Sequence, residues 1–259
     1  MARPRGRREA VKGGNQRLFD RLPPVARIGV DWLIAQVKEQ GNAMSDTQRT
    51  AIVTGAAGGI GRALVEGLLA AGIRVAAVDR TADGLAQLSA NARQQNNEAA
   101  LLTIEADLSR DAASADIVVK TRGHFGKIDI LVNNAGIGQA TLRAENWQRP
   151  IRFWEITADD WRRFVAVHTT APLLLAQAVL PEMRQAGWGR IVNVTTKLDT
   201  MNRVGTHPYG TSKAALEMAT EVWAKDVEGP ASRSTSSERL QHSTNGLKPR
   251  KARGTCRTR

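Results

Sequence analysis

Two side chains near the end of the chain, Tyr209 and Lys213, have the types and the spacing of an acid–base pair. A phenol has a pKa of about 10, so it is a poor base at neutral pH unless a nearby cation stabilises its phenolate. A lysine four residues later on the same helix lies one turn away and can supply that charge. Tyr209 is the only tyrosine in the sequence. We therefore predict that Tyr209 is a general acid/base and that Lys213 activates it.

A glycine-rich turn joins a predicted buried strand, residues 51–54, to a predicted apolar helix, residues 60–71. This geometry presents backbone N–H groups and the positive end of a helix to a pyrophosphate. Gly55 permits the tight turn, Gly59 lets the backbone approach the phosphates, and Gly61 allows close packing of the helix on the strand. The pattern therefore favours a dinucleotide site over an ordinary connection between a strand and a helix.

Acidic residues follow the next two predicted strands, residues 73–78 and 101–106. Asp79 is placed to accept hydrogen bonds from both ribose hydroxyls of an adenosine. Because its charge would repel a 2′-phosphate, NAD is favoured over NADP. Arg80 could pair with a phosphate, which keeps NADP as the alternative. Asp107 could hold the adenine edge, cap a helix that we expect to start at residue 109, or do both.

A fourth predicted strand, residues 128–132, runs into small polar residues, and ligands of open α/β sheets bind at such carboxyl ends. At this point the sequence resembles the classical short-chain dehydrogenase/reductase family, over about residues 48–229. Four motifs in the family's order carry the resemblance: Thr54-Gly-x-x-x-Gly-x-Gly61, Asp107-Leu108, Asn133-Asn-Ala-Gly136 and Tyr209-x-x-x-Lys213.

The resemblance implies one Rossmann-type domain, an α/β fold whose doubly wound parallel sheet lies in three α/β/α layers. It implies hydride transfer between a nicotinamide cofactor and a secondary alcohol or ketone, in a homo-oligomer. It also implies that Lys213 holds the nicotinamide ribose. The residues that we assign to the cofactor are Gly55, Gly59, Ile60, Gly61, Asp79, Asp107, Leu108, Asn134, Tyr209 and Lys213.

Thr196 is the first departure from the family, which has a substrate-orienting serine thirteen residues before the tyrosine. Threonine keeps the hydroxyl but adds a methyl group, which alters its rotamer and the space beside it. We expect the adjacent Thr195 to face the other way on its strand. The sequence therefore predicts that Thr196 orients the substrate.

His168 is the second departure, since the family usually has an asparagine here that anchors a water relay to the lysine. We predict a helix that begins at Thr157 with Asp160 in a capping box, and His168 follows at helical spacing from Trp161 and Phe164. A catalytic role and a satisfied core histidine both remain open. Together the two departures keep a non-catalytic dinucleotide-binding relative as the alternative function.

Aromatic side chains are concentrated in the connection before that helix, at Trp147, Phe153 and Trp154. They could line a hydrophobic substrate pocket, or they could form a helix or subunit contact. The same alternatives apply to residues 199–208, just before Tyr209. The sequence does not decide between them.

Charge is distributed very unevenly along the 259 residues. Residues 1–43 carry 9 basic and 4 acidic side chains and residues 230–259 carry 8 and 1, so the remaining 20 of each sign cancel. A neutral middle region argues against a specific nucleic-acid partner. The single cysteine, Cys256, excludes a disulfide framework and a cysteine metal site, and we predict no metal. We expect no membrane span and a cytoplasmic location, with a small alcohol or ketone as the partner.

The two ends of the sequence do not match the middle. We interpret residues 1–47 as a disordered basic extension and favour Met44 as the natural start; acidic residues there argue against a transit peptide. Residues 230–259 lack apolar periodicity, so we predict a disordered basic tail and a sheet that is incomplete at its C-terminal edge. Reading 231–237 one frame back yields alternating apolar residues if codons are chosen suitably, which suggests a frameshift near Gly229. AGY serine codons in the gene would exclude it.

Overall fold

The computed structural model describes residues 48–228, and the predictions for residues 1–47 and 230–259 lie outside them. Within this range five strands form one parallel sheet in the order β3-β2-β1-β4-β5. The strands are β1 (Thr50–Thr54), β2 (Arg74–Asp79), β3 (Leu101–Glu105), β4 (Ile130–Asn133) and β5 (Arg190–Asn193). The four strands predicted with bounds are present, with ends that differ by at most two residues, whereas Thr195, which we expected on a strand, comes two residues after β5.

Helices connect the strands, as parallel pairing requires. They are α1 (Gly59–Ala70), α2 (Ala82–Gln94), α3 (Asp111–Phe125), α4 (Ala158–Val165), α5 (Ala171–Gln185), α6 (Leu198–Met201) and α7 (Tyr209–Glu228). A π-helical turn, Ala166–Thr170, joins α4 to α5 and so interrupts the helix that we predicted from Thr157. The predicted capping box is present, since Asp160 N donates to Thr157 Oγ1.

Alternation along the strands divides the core into two layers, one on each face of the sheet. Val53 and Val75 pack with apolar residues of α1 and α2. Ile52, Val78 and Leu131 pack on the other face with residues of α3 and α5. The structure is therefore a three-layer α/β/α fold, which confirms the predicted Rossmann-type architecture.

The strand register aligns the carboxyl ends of the strands, where the candidate site residues lie. Thr54 pairs with Val78, and Asn133 pairs with Asn193. Because β1 lies between β2 and β4, the chain leaves neighbouring strands towards opposite faces at the β1–β4 junction. A crevice at this junction is where open α/β sheets bind ligands.

One helical stretch bears on the expectation that the chain has no membrane span. The described residues include Ala158–Gln185, which is long and apolar enough to cross a bilayer, with a mean hydropathy of 1.5. We expected no membrane span, and by length and composition alone this stretch meets the criterion for one. Phe164, Leu175 and Val179 within it are fully buried in the protein, which is the environment of a core helix.

Candidate active site

The glycine turn after β1 is shaped by three different constraints. Gly55 has φ +64°, and a Cβ there would lie 2.8 Å from Ala135 Cα. A Cβ on Gly61 would lie 2.0 Å from the Gly55 carbonyl oxygen. Gly59, by contrast, has open space around its Cβ position and is exposed at the first residue of α1. Gly55 therefore forms the predicted tight turn, Gly61 makes the predicted close packing, and the side of Gly59 is free for a ligand.

The N-terminus of α1 presents its backbone N–H groups without competition from side chains. Gly58 at the N-cap provides no side-chain hydrogen bond, and the first turn contains no acidic residue. The unpaired N–H groups and the positive end of the helix dipole favour an anion there. The donor set and the open glycine face fit the diphosphate of a dinucleotide.

Asp79 ends β2 beside this turn, and backbone groups hold its carboxylate. Asp79 Oδ2 accepts from Ala57 N at 2.9 Å, and Oδ1 accepts from Thr81 N at 3.1 Å and from Thr81 Oγ1 at 2.8 Å. A carboxylate offers about four lone-pair sites, so capacity remains for a further donor. Arg80, the alternative phosphate partner, is exposed.

Asp107 and Leu108 lie in the turn after β3. The Ser109 backbone N–H, at 2.9 Å from Asp107 Oδ1, is the main reason that the pKa of Asp107 lies below its usual value; Arg80 and Arg110 lower it further. Our expectation of a helix from residue 109 was wrong, because α3 begins at Asp111. Asp107 therefore stabilises a turn instead of capping that helix.

Asn134 braces the glycine turn from β4. Its Nδ2 donates to the carbonyl oxygens of Thr54 at 2.9 Å and Gly55 at 3.1 Å. In return, Thr54 Oγ1 accepts from the backbone N–H groups of Asn134 at 3.0 Å and Ala135 at 3.1 Å. The sequence motif included Thr54 but did not reveal this reciprocal contact, which fixes the crevice between the two strands.

Tyr209, the first residue of α7, is hydrogen-bonded to Thr196, which comes three residues after β5. Burial raises the pKa of Tyr209, and the bond to Thr196 opposes that rise. Desolvation of the phenol therefore outweighs the stabilisation of its phenolate by Thr196. The activation of Tyr209 by Lys213 stays a prediction.

Lys213 is buried one turn further along α7, with 3% of its surface exposed. Its Nζ donates to the Val194 carbonyl oxygen at 2.7 Å. Desolvation lowers the pKa of Lys213 to about 8. The ammonium group is therefore fixed at the end of β5 and is poised to lose its proton under mildly alkaline conditions.

His168 lies in the middle of the π turn and is fully buried. Its Nε2 is 2.9 Å from Ile137 N, and its Nδ1 is 2.7 Å from Ser212 Oγ. Burial, assisted by the charge of Lys213, lowers the pKa of His168 to about 3, so the ring is neutral at physiological pH. The ring stands edge-on to Tyr209, with centroids 5.3 Å apart.

Of the two residues at helical spacing from His168, only Phe164 contacts its ring. Phe164 is fully buried and contacts the His168 ring edge-on at 5.5 Å. Trp161 is 39% exposed and instead stacks on His207. Ser212, next to Lys213, was missed by sequence reasoning, although its place between the two candidate catalytic residues was a signal.

The aromatic connection and residues 199–208 face each other across a cavity of about 610 Å³. Phe153 and Trp154 line it, yet each is 69% exposed, and Trp147 is 77% exposed. Gly210 and Ala214 of α7 also line it, whereas Tyr209, Lys213 and Thr196 do not. The cavity therefore lies beside α7 but is not lined by the candidate catalytic residues.

Metal ligands do not cluster in the part of the chain that the structure describes. No group of three or more His, Cys, Asp or Glu side chains in residues 48–228 could hold a metal ion. The chemistry that the described side chains offer is acid–base chemistry centred on Tyr209.

Known proteins resemble this chain over most of its length. The family model described as short chain dehydrogenase matches residues 49–230. A short chain dehydrogenase of Pseudocercospora fijiensis is 33% identical over 181 residues, which cover 70% of this chain and 55% of the relative. D-threitol dehydrogenase of Mycolicibacterium smegmatis is 33% identical over 182 residues, or 70% and 65% of the two chains.

A solved structure shows the same fold. A short-chain dehydrogenase/reductase from Burkholderia phymatum, in complex with NAD, superposes with a TM-score of 0.61 at 25% sequence identity. The match covers 69% of this chain and 60% of that chain. This chain thus spans between 55% and 65% of the length of these three relatives.

Proposed function

This chain belongs to the short-chain dehydrogenase family, and we propose that it transfers a hydride between a nicotinamide cofactor and a secondary alcohol or ketone. One observation carries the proposal. The Tyr209 hydroxyl is hydrogen-bonded to Thr196, and the buried ammonium of Lys213 lies one helical turn away at the same end of the sheet. A protein that only bound a dinucleotide would not need this arrangement.

Tyr209 is the general acid/base of the proposed reaction. The phenol is protonated at neutral pH, and the raised pKa favours that form, so a proton is available for a carbonyl oxygen during reduction. In the oxidative direction the phenolate must form, and the Lys213 ammonium is the cation that stabilises it. Thr196 orients the substrate oxygen, and His168 holds the site in place through its contacts with Ile137 and Ser212. The cofactor supplies the hydride acceptor or donor.

The cofactor that we propose is NAD, with NADP as the less favoured alternative. The Asp79 carboxylate is fixed beside the glycine turn by three hydrogen bonds, so it cannot easily turn away from a 2′-phosphate. The solved relative from Burkholderia phymatum was crystallised with NAD. The residues proposed to hold the cofactor are Gly55, Gly59, Ile60, Gly61, Asp79, Asp107, Leu108, Asn134, Tyr209 and Lys213.

The proposed substrate is a small alcohol or its ketone. D-threitol dehydrogenase, by its name, acts on a small polyol, which makes polyols a reasonable first set of test compounds. We further propose a cytoplasmic homo-oligomer. The oligomer is supported by the exposed apolar side chains of Met218 and Val222, which lie four residues apart on α7.

A non-catalytic dinucleotide-binding protein is the second candidate function. Thr196 and His168 depart from the family's usual residues, and the pKa of Tyr209 is raised instead of lowered. These features affect turnover and leave the glycine turn intact. Binding without turnover therefore distinguishes this candidate from the first.

Tryptophan fluorescence of the full chain, titrated separately with NADH and NADPH, is the first experiment. Saturable quenching with tighter NADH binding is expected, and an Asp79→Asn variant should lose most of that preference. Turnover of a polyol panel then separates the two candidates. A soluble, monodisperse protein that responds to neither dinucleotide would exclude both functions.

A further inference from the structure

A buried histidine connects two segments that are far apart in the sequence. Through its two ring nitrogens His168 reaches Ile137, in the loop after β4, and Ser212, in α7. These partners are 31 and 44 residues away, and the ring is fully excluded from solvent. The contacts therefore link the two sides of the candidate active site through the π turn.

The hydrogen bonds define where the proton of the ring lies. Ile137 N–H can only donate, so Nε2 must be the unprotonated nitrogen. The neutral ring then carries its proton on Nδ1 and donates it to Ser212 Oγ at 2.7 Å. Ser212 Oγ in turn donates to the carbonyl oxygens of Pro208 at 2.9 Å and Tyr209 at 3.0 Å. Both nitrogens of the ring are fully used by protein groups.

Ser212 is held by a second contact from the same π turn. Thr169 Oγ1 donates to the Ser212 carbonyl oxygen at 3.2 Å. Since Ser212 directly precedes Lys213 and follows Tyr209 by three residues, these bonds fix the turn of α7 that carries both groups. At the other end of the link, a Cβ on Gly136 would lie 3.4 Å from His168 Nε2 and 3.9 Å from Lys213 Cε.

We infer that His168 and Ser212 are positioning residues that strap the loop after β4 to the catalytic turn of α7. The ring, with both nitrogens committed, does not conduct a proton to or from Lys213. Lys213 and Tyr209 are the titratable groups that face the ring, and Phe164 packs against it as an apolar neighbour. The role in turnover rests on the proposed function, whereas the tautomer does not.

Two substitutions separate the two halves of the strap. In His168→Gln the amide reaches the position of Nε2, so it can still accept from Ile137 N–H, but the donor to Ser212 is lost. In His168→Asn the amide reaches the position of Nδ1, so it can still donate to Ser212, but the acceptor for Ile137 is lost. Ser212→Ala removes the partner on α7 alone.

The strap predicts a different kinetic signature for each variant. His168→Gln and Ser212→Ala should each lower kcat about tenfold with little change in the KM for NADH, and the double variant should be no worse than either single one. His168→Asn should chiefly raise the KM for NADH. His124→Asn, which changes an exposed histidine of α3, is the matched control. Additive losses in the double variant, or a His168→Asn enzyme with raised kcat, would overturn the inference.

The wild-type protein provides a test that needs neither turnover nor a variant that folds. Nitrogen-15 NMR of histidine-labelled full chain should show one ring that stays in the Nδ1–H tautomer, without titration, between about pH 5 and 8. A His168 ring that titrates in this range, or that carries its proton on Nε2, would overturn the strap. A wild-type protein that turns over no substrate would exclude the proposed reaction while the tautomer still decides this inference.

Discussion

The cofactor half and the catalytic half of the candidate site are built in different ways. At the cofactor half, all five residues of β1 are buried, and the decisive contacts join side chains to the backbone, such as Asn134 to the Thr54 carbonyl. At the catalytic half, three of the four β5 residues are only partly buried, and each decisive contact involves a titratable or hydroxyl group, such as Lys213 Nζ to the Val194 carbonyl and Tyr209 to Thr196. The first half depends on the course of the backbone, and the second depends on individual functional groups.

Removing a functional group should break the catalytic half alone, with the largest effect. Tyr209→Phe keeps the ring but loses the hydroxyl, so turnover should fall by about 10²- to 10⁴-fold. NADH binding, measured by fluorescence quenching, should weaken far less than turnover. A Tyr209→Phe enzyme with wild-type kcat would show that another group transfers the proton.

Adding one methyl group at a glycine should disturb the backbone of the cofactor half. Gly61→Ala places a Cβ 2.0 Å from the Gly55 carbonyl oxygen, so we expect the free energy of unfolding to fall by about 1–3 kcal/mol. Gly123→Ala, in α3 with open space around it, is the control and should gain about 0.5–1 kcal/mol. Urea unfolding measures both, and equal effects at the two positions would contradict the close approach.

Gly59→Ala sharpens the comparison, because its Cβ position is open in the protein. The free energy of unfolding should therefore stay close to that of the wild type. The added methyl group nevertheless lies where we propose that the diphosphate approaches, so the affinity for NADH should fall. An unchanged affinity would place the phosphates elsewhere.

Acid should weaken the protein through His168. The pKa of this ring is lowered to about 3 from 6.5, so between these values the unfolded state binds more protons and the free energy of unfolding falls as the pH falls. The loss from pH 7 to pH 5 is at most about 2 kcal/mol. Lys213, whose pKa is about 8, contributes only above that pH. Urea unfolding at both pH values should show a smaller loss in His168→Gln than in the wild type, and identical losses would contradict the assignment.

The smallest effect is expected where a methyl group is removed and the hydroxyl is kept. Thr196→Ser preserves the hydrogen bond to Tyr209 and frees the side chain to rotate. We expect kcat to change by no more than about threefold, because the loss corresponds to less than one hydrogen bond. Thr196→Val, which removes the hydroxyl at nearly constant shape, should lower kcat clearly more. Equal activities of the Ser and Val variants would remove Thr196 from the site.

The glycine turn could be predicted from the sequence because its signals are local, whereas its contacts with Asn134, 80 residues from Thr54, could not. The glycines, the strand before them and Asp79 lie within 30 residues, and their spacing determines the turn. The catalytic half could be predicted only as a list of groups. The partners of His168 are 31 and 44 residues away, and no periodicity reveals them. The rise in the Tyr209 pKa could not be predicted, because burial is a property of the packed protein.

Helices α1 and α4 differ in how their N-terminal backbone N–H groups are capped. Thr157 and Asp160 complete the start of α4, whereas nothing in the side chains completes the start of α1. Under the proposed function, the dinucleotide acts as the missing cap, and a ligand that binds only the folded state at 100 times its Kd adds about 2.7 kcal/mol to stability. The lifetime of the folded protein then follows the supply of its cofactor. A cell short of the dinucleotide would degrade this enzyme faster than one that is well supplied.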